Sequence, residues 1–282
     1  MLLMAHAKIN WALNVTGRRA DGYHLLDMLI QRLELADELT LTRADSLTLR
    51  VQNQPGLPGD ERNLVFRAAQ ALKAYTGYCG GARLSLTKHI PLQAGLGGGS
   101  ADAAACLLGL NELWGTGLRL PELSRIAETL GADVPLCLAP GLARAQGIGE
   151  QVTPLPGAPS LPLLILQPGH GLATAEVFSR FATAQKSPAA DLEQAQTALL
   201  AGSLKGIRDS CRNQLQAAAT AMLPEIGEAV DSLVKQGAAF AQMSGSGSAV
   251  FGVFDSEQAA QAAHRALRPR WPVCLLTRSL RG

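Results

Sequence analysis

The sequence predicts an α+β protein of two domains, residues 1–155 with a mixed α/β arrangement and residues 156–282 with a ferredoxin-like α+β arrangement. Three observations predict it. Segments alternating apolar and polar residues with the period of a strand recur in both halves, separated by helical patterns. The second half reads as a strand, several helices, two strands, a helix and a strand, an order suited to helices on one face of an antiparallel sheet. Between the halves lies a glycine- and proline-rich span, Pro140 to Pro162, where a domain boundary is expected. At 282 residues the chain can bury two cores.

Ala5 to Val15 alternates as a strand, with Ile9, Trp11, Leu13 and Val15 on one side and Lys8, Asn10 and Asn14 on the other. A lone lysine there is ordinarily a surface residue with a snorkelling stem. An Asp-Gly turn follows, with Tyr23 and His24 at its exit, then strands from Leu25 to Glu34 and from Asp37 to Thr42. Ser46 to Gln52 alternates again, and a turn-rich loop leads to a helix from Asn63 to Tyr75 with Leu64, Ala68, Ala71, Leu72 and Tyr75 on its apolar face. Gly81 to His89 is a strand that feeds the run Pro91 to Ala105, PLQAGLGGGSADAAA, in which Ser100 opens an alanine-rich helix through Leu110. Pro121 starts another helix, ended by Gly131, and Asp133 then stands before Val-Pro, where a helix N-cap is its ordinary role. In the second half the strands are Leu163 to Gln167, Ala238 to Met243, Ala249 to Phe254 and Val273 to Arg278. Helices fill Thr174 to Gln236 and Glu257 to Leu267.

Composition narrows the function. A hydrophobic fraction of 47% with 17% charged residues describes a globular chain with a generous core. A net charge of +2 and only 4% aromatic residues argue against a nucleic-acid groove. Five scattered cysteines, never spaced as C-x-x-C, argue against a disulfide framework or structural zinc and for a reducing compartment. The amino terminus lacks a basic leader, and no stretch approaches ~18 uninterrupted apolar residues. A cytoplasmic protein with neither a membrane nor a nucleic-acid partner is expected, and the sequon at Asn14 is then without consequence.

The run Gly95 to Gly99 holds four glycines and leads directly into a helix. Glycines let the backbone approach a ligand, and the free N–H groups and dipole of a helix start favour an anion. Phosphate is the natural guest. The run lacks the Gly-Lys-Ser/Thr ending of a P-loop, and Ser100 stands where the third glycine of G-x-G-x-x-G would be. A tight turn alone would need fewer glycines. A second glycine loop, Ser244 to Ser248, exceeds what a hairpin needs and suggests another backbone wall for a ligand.

Three segments in this order, AKINWALNVTGRRADGYH, PLQAGLGGGSADAAA and MSGSGSAVFGVF, resemble the signature motifs of the GHMP kinase superfamily. The resemblance spans nearly the whole chain and implies the two-domain GHMP kinase fold and a small-molecule kinase that binds ATP with Mg²⁺. The DGYH of the first segment, with LGADVP at Leu130 to Pro135, is similar to the branch that phosphorylates a hydroxyl of a small cytidyl substrate. The resemblance implies Lys8 and Asp133 as the catalytic pair, Asp133 taking the hydroxyl proton and Lys8 favouring the alkoxide. It implies Pro91, Gly95, Leu96, Gly97, Gly98, Gly99 and Ser100 around the ATP phosphates, with Asn63 and Lys88 framing adenine and ribose. Tyr23 and Phe178 would sandwich cytosine while His24 reads its edge. Asn10 and Thr174 would contact the rest of the substrate, Gly245 would close the third loop over it, and Ser100 would be the protein ligand of Mg²⁺. Ala101, Ile30 and Ala175 depart from the pattern at positions where serine, an aromatic residue and proline are frequent. The implied assembly is a monomer or weak homodimer.

Other readings stay open on sequence. A kinase of the same superfamily acting on homoserine, mevalonate or a sugar would keep both glycine loops, with no reason to pair DGYH with Phe178. A non-catalytic nucleotide-binding module would tolerate loss of Lys8 and Asp133. A dinucleotide-binding oxidoreductase is disfavoured by Ser100 and by the missing initial β-α-β unit.

Overall fold

The computed structural model describes residues 1–183 and 187–281. They form two compact units that do not follow the expected break after residue 155. One contains Met1–Ala7, Leu35–Ile90 and Gly97–Ala139, and the other Lys8–Glu34, Pro91–Leu96 and Pro140–Gly282. Two long strands, β1 (Leu2–Arg18) and β2 (His24–Ala44), each contribute residues to both units. The two strands expected at 25–34 and 37–42 are therefore one. The Asp37 carboxylate accepts hydrogen bonds from the backbone of His89 and Ile90, which holds the aspartate inside the continuous strand.

The first unit pairs β4 (Gly81–Thr87) antiparallel to β2, with Leu39 opposite Leu86 and Leu41 opposite Leu84. Strand β3 (Thr48–Gln52) runs parallel to β4. Helices α1 (Leu64–Thr76), α2 (Gly98–Trp114) and α3 (Leu120–Leu130) supply the rest of the core, where Val65, Leu72, Leu107, Leu110 and Ile126 meet the strand leucines. Helix α2 is buried nearly all round, which its alanines permit by presenting little bulk on any side. It starts at Gly98, two residues before the expected Ser100, and runs on to Trp114.

The second unit contains the hairpin β5 (Leu142–Gly147) and β6 (Gln151–Pro154), with β5 antiparallel to Leu26–Gln31 of β2. This hairpin occupies the span expected to separate domains. Gly147 and Gly149, both at positive φ, make its turn, so the glycines serve a strand connection and carry the following chain into the same unit. A four-stranded antiparallel sheet follows the order β10 (Val273–Arg278), β7 (Pro162–Gln167), β9 (Val250–Val253), β8 (Phe240–Met243). Helices α8 (Glu225–Lys235) and α9 (Glu257–Leu267) pack on it through Ile226, Ala229, Leu233, Ala260, Ala263 and Leu267. Helices α4 (Thr174–Thr183), α5 (Leu192–Ala201), α6 (Leu204–Ser210) and α7 (Gln216–Met222) intervene between β7 and α8. The strand and helix order expected for the second half is thus present. Among the described residues no helix is long and apolar enough to cross a membrane.

Candidate active site

In the first unit the glycine run ends on the first turn of α2. Gly97 takes the N-cap place at φ 69°, a left-handed conformation that only glycine adopts at low cost, and no side chain caps the helix. Gly98, Gly99 and Ser100 therefore present a helix start whose N–H groups are not taken by a capping side chain, the anion-binding arrangement read from the sequence. A Cβ on Gly98 would stand 3.0 Å from the Ile90 side chain and 3.4 Å from Lys88 Nζ, so the loop lies directly against the residues behind it.

Those residues form a buried ion cluster. Lys88, 5% exposed, lies between Asp37 of β2 and Asp102 of α2, donating to the first carboxylate and, at 2.6 Å, to the second. Asn53 holds the Lys88 backbone from both sides, its amide donating to the carbonyl and its oxygen accepting from the N–H. Side chain and backbone of Lys88 are thus committed within the protein. Its ammonium thus has a structural part in the buried cluster beside the glycine loop. Asp102 differs from Asp37 in one respect: its Oδ1 is buried without a hydrogen-bond partner. Burial, reinforced by the charge of Asp37 and opposed by Lys88, pushes its carboxyl well above the usual carboxylate range.

Asn63 caps α1, its oxygen accepting from Val65 N at 3.0 Å and its amide donating to the Pro58 carbonyl at 2.9 Å. Asp133 stands half-buried just before a short 3-10 helix, Pro135–Leu138. The residue in the cap position there is Val134.

In the second unit, parts of all three motif segments meet around Lys8. Its ammonium, in a side chain that β1 carries into the interior at 4% exposure, donates to Asn10 Oδ1 at 2.8 Å and to the Gly95 carbonyl at 3.1 Å. Its backbone N–H donates to the Leu96 carbonyl at 2.9 Å. Ser244 ties the segments together, donating from its hydroxyl to Gly95 O at 3.0 Å and accepting from Asn10 N at 3.3 Å. Gly95 and Gly245 are both at positive φ. A Cβ on Gly95 would stand 2.2 Å from the Ser244 carbonyl, and one on Gly245 would reach 3.2 Å from Asn10 Oδ1 and 3.3 Å from Lys8 Nζ. The glycines are what let the two loops close on the lysine. Pro91 is half-buried, and the Leu96 side chain is core.

The aromatic group lies at the start of β2 and on α4. The His24 ring stacks on Phe178 of α4, with centroids 4.7 Å apart and planes 20° apart, while Tyr23 is 58% exposed. The ring parallel to Phe178 is His24, whose pKa burial and the nearby Arg18 both lower, favouring the neutral imidazole. Thr174, at the start of α4, shares a 2.9 Å hydrogen bond with Ser246 of the third segment. Among the described residues no group of three His, Cys, Asp or Glu side chains could hold a metal. Ser100 remains the protein oxygen at the helix start, so a divalent ion would be carried chiefly by phosphate oxygens.

Residues 63–141 match the family described as GHMP kinases N terminal domain, and residues 195–273 match GHMP kinases C terminal. A protein of Mesorhizobium japonicum, named 4-diphosphocytidyl-2-C-methyl-D-erythritol kinase, is 40% identical over 95% of this chain and 91% of its own. A Moorella thermoacetica protein of the same name is 41% identical over 99% of both chains. This chain belongs to the 4-diphosphocytidyl-2-C-methyl-D-erythritol kinase family. A crystal structure of a 4-(cytidine 5'-diphospho)-2C-methyl-D-erythritol kinase superposes over all of both chains with a TM-score of 0.86 at 36% identity. Homoserine kinase of Cytophaga hutchinsonii, at 21% identity and a TM-score of 0.71 over 98% of this chain and 94% of its own, shares the fold. For this kinase family member the sequence motifs pointed to Lys8 and the glycine loops. They did not point to Ser244 as the link between the loops, to Asp37 and Asp102 around Lys88, or to Asn213, whose amide holds the third segment.

Proposed function

We propose that this chain transfers the γ-phosphoryl group of ATP to the C2 hydroxyl of 4-diphosphocytidyl-2-C-methyl-D-erythritol, a step of the non-mevalonate isoprenoid route carried out in the cytoplasm by a monomer or weak homodimer. The observation that carries this reading is 40–42% identity, over 94–99% of the chain, to relatives bearing that kinase's name. The arrangement of residues supports specific roles. The C2 oxygen attacks the γ-phosphorus, its proton passes to the Asp133 carboxylate, and the bond to the β-phosphate oxygen breaks to release ADP. Lys8 draws the hydroxyl toward its alkoxide form, and Asn10 and Gly95 orient the ammonium that does so. The first-turn N–H groups at Gly97 to Ser100 cradle the phosphates, with Pro91, Leu96 and Asn63 shaping the nucleotide's surroundings. Mg²⁺, when bound, neutralises phosphate charge, and Ser100 is its protein ligand.

The cytosine end is assigned to Tyr23, His24 and Phe178, where a base would exchange places with one ring of the His24–Phe178 stack. Thr174 and Gly245 complete the acceptor side. The test is ADP release with 4-diphosphocytidyl-2-C-methyl-D-erythritol, homoserine, mevalonate and galactose offered in parallel. Turnover with the cytidyl compound alone is expected. Turnover with another acceptor instead overturns the substrate and the cytosine contacts together.

A further inference from the structure

Asn213 lies outside all three motif segments and is 5% exposed. Its side-chain amide donates to the carbonyls of Met243 at 2.9 Å and Gly245 at 2.8 Å, while its Oδ1 accepts from Leu215 N at 3.0 Å. Both amide hydrogens are therefore committed to the chain flanking Ser244. The backbone around Asn213 is fastened to β1, the strand that carries Lys8 and Asn10: Leu13 N donates to Arg212 O at 2.9 Å, Gln214 N donates to Leu13 O at 3.0 Å, and Leu13 pairs with Asn213 in a parallel bridge. Gln216, three residues on, accepts from Met243 N at 2.9 Å. Backbone on one side and amide on the other make Asn213 a spacer between the lysine's strand and the third glycine loop.

We infer that Asn213 is a positioning residue for phosphoryl transfer, setting the third glycine loop against Lys8 through the Met243 and Gly245 carbonyls. The inference rests on the role proposed above for Lys8. A side-chain amide suits the task because it offers two donors and one acceptor in a fixed plane. The substitution Asn213→Asp would keep the acceptor for Leu215 but face two carbonyls with a carboxylate, and the loop would move away from Lys8. Misplacement of a reacting group on that scale costs about 10²-fold in rate.

The test compares Asn213→Asp and the milder Asn213→Ser with the unaltered enzyme, each also in a Lys8→Met background. Both substitutions should lower kcat, Asn213→Asp by about 10²-fold, with KM for ATP changed far less, and neither should lower kcat further once Lys8 is replaced by methionine. Unchanged kcat in Asn213→Ser, or an equal loss in both backgrounds, overturns the inference while leaving the role of Lys8 standing. Full turnover of Lys8→Met itself overturns the role of Lys8 and the inference with it. If Asn213→Asp does not fold, Asn213→Ser decides by the same criteria.

Discussion

Lys8 and Lys88 are buried to nearly the same degree, yet their ammonium groups keep different company. Lys88 is met by two carboxylates, Asp37 and Asp102. Lys8 donates to an amide oxygen and a backbone carbonyl, both belonging to motif segments. Two acids hold Lys88 in a buried ion cluster, while Asn10 and Gly95 tie Lys8 to the motif segments. Burial and residue type alone therefore do not separate a structural lysine from one proposed to react.

The comparison breaks if the two lysines do not divide activity from stability. Lys8→Met and Asp133→Asn should each lower turnover by about 10²–10⁴-fold while the thermal midpoint stays near that of the unaltered enzyme; ADP release and calorimetry on the same samples read both. Lys88→Met should do the reverse, leaving the Asp37 carboxylate buried without its cation at a cost of about 3–5 kcal/mol. A denaturant titration gives that loss, and the folded fraction should keep far more turnover than Lys8→Met does. On the acceptor side, Tyr23→Ala should weaken binding of the cytidyl substrate by about 1–3 kcal/mol, read by calorimetry, without altering stability.

The smallest effect sharpens the Lys88 half of the comparison. Asp102 keeps its proton in the folded protein above the pH at which it releases it unfolded. Between about pH 4 and about 8 the folded state binds the extra proton, so stability is highest below that window and falls as pH rises through it. Asp102→Asn removes the titration, and the slope of denaturant midpoint against pH should flatten across the window.

Much of this was legible in the chain. Helix α9 and strand β10 occupy the residues expected, because Ser256 caps the helix through a bond to Ala259 N and the periodicity on either side is clean. The glycine run was legible as a helix start because glycines lead straight into an alanine-rich run, although the helix begins at Gly98 and not at Ser100. What was not legible depended on distance. The break read between Glu34 and Asp37 is absent, and the backbone of His89 and Ile90 that holds Asp37 in the strand comes from more than fifty residues on. The span at 140–162 reads as a linker because glycine and proline serve hairpins and linkers alike. Lys88 matched a nucleotide contact by position, while its two acids are far from it in sequence. Asn213 gave no signal at all, since its partners are carbonyls, which every residue has.

The contact between Gly95 and the Ser244 carbonyl is made of main chain on both sides, with no room for a methyl group. Where side chains touch, a protein can drift, one residue shrinking as its neighbour grows. Here there is nothing to trade. Substitution can alter the walls of this site, and with them the acceptor it prefers, but the join between its two loops can be inherited only as it stands or lost.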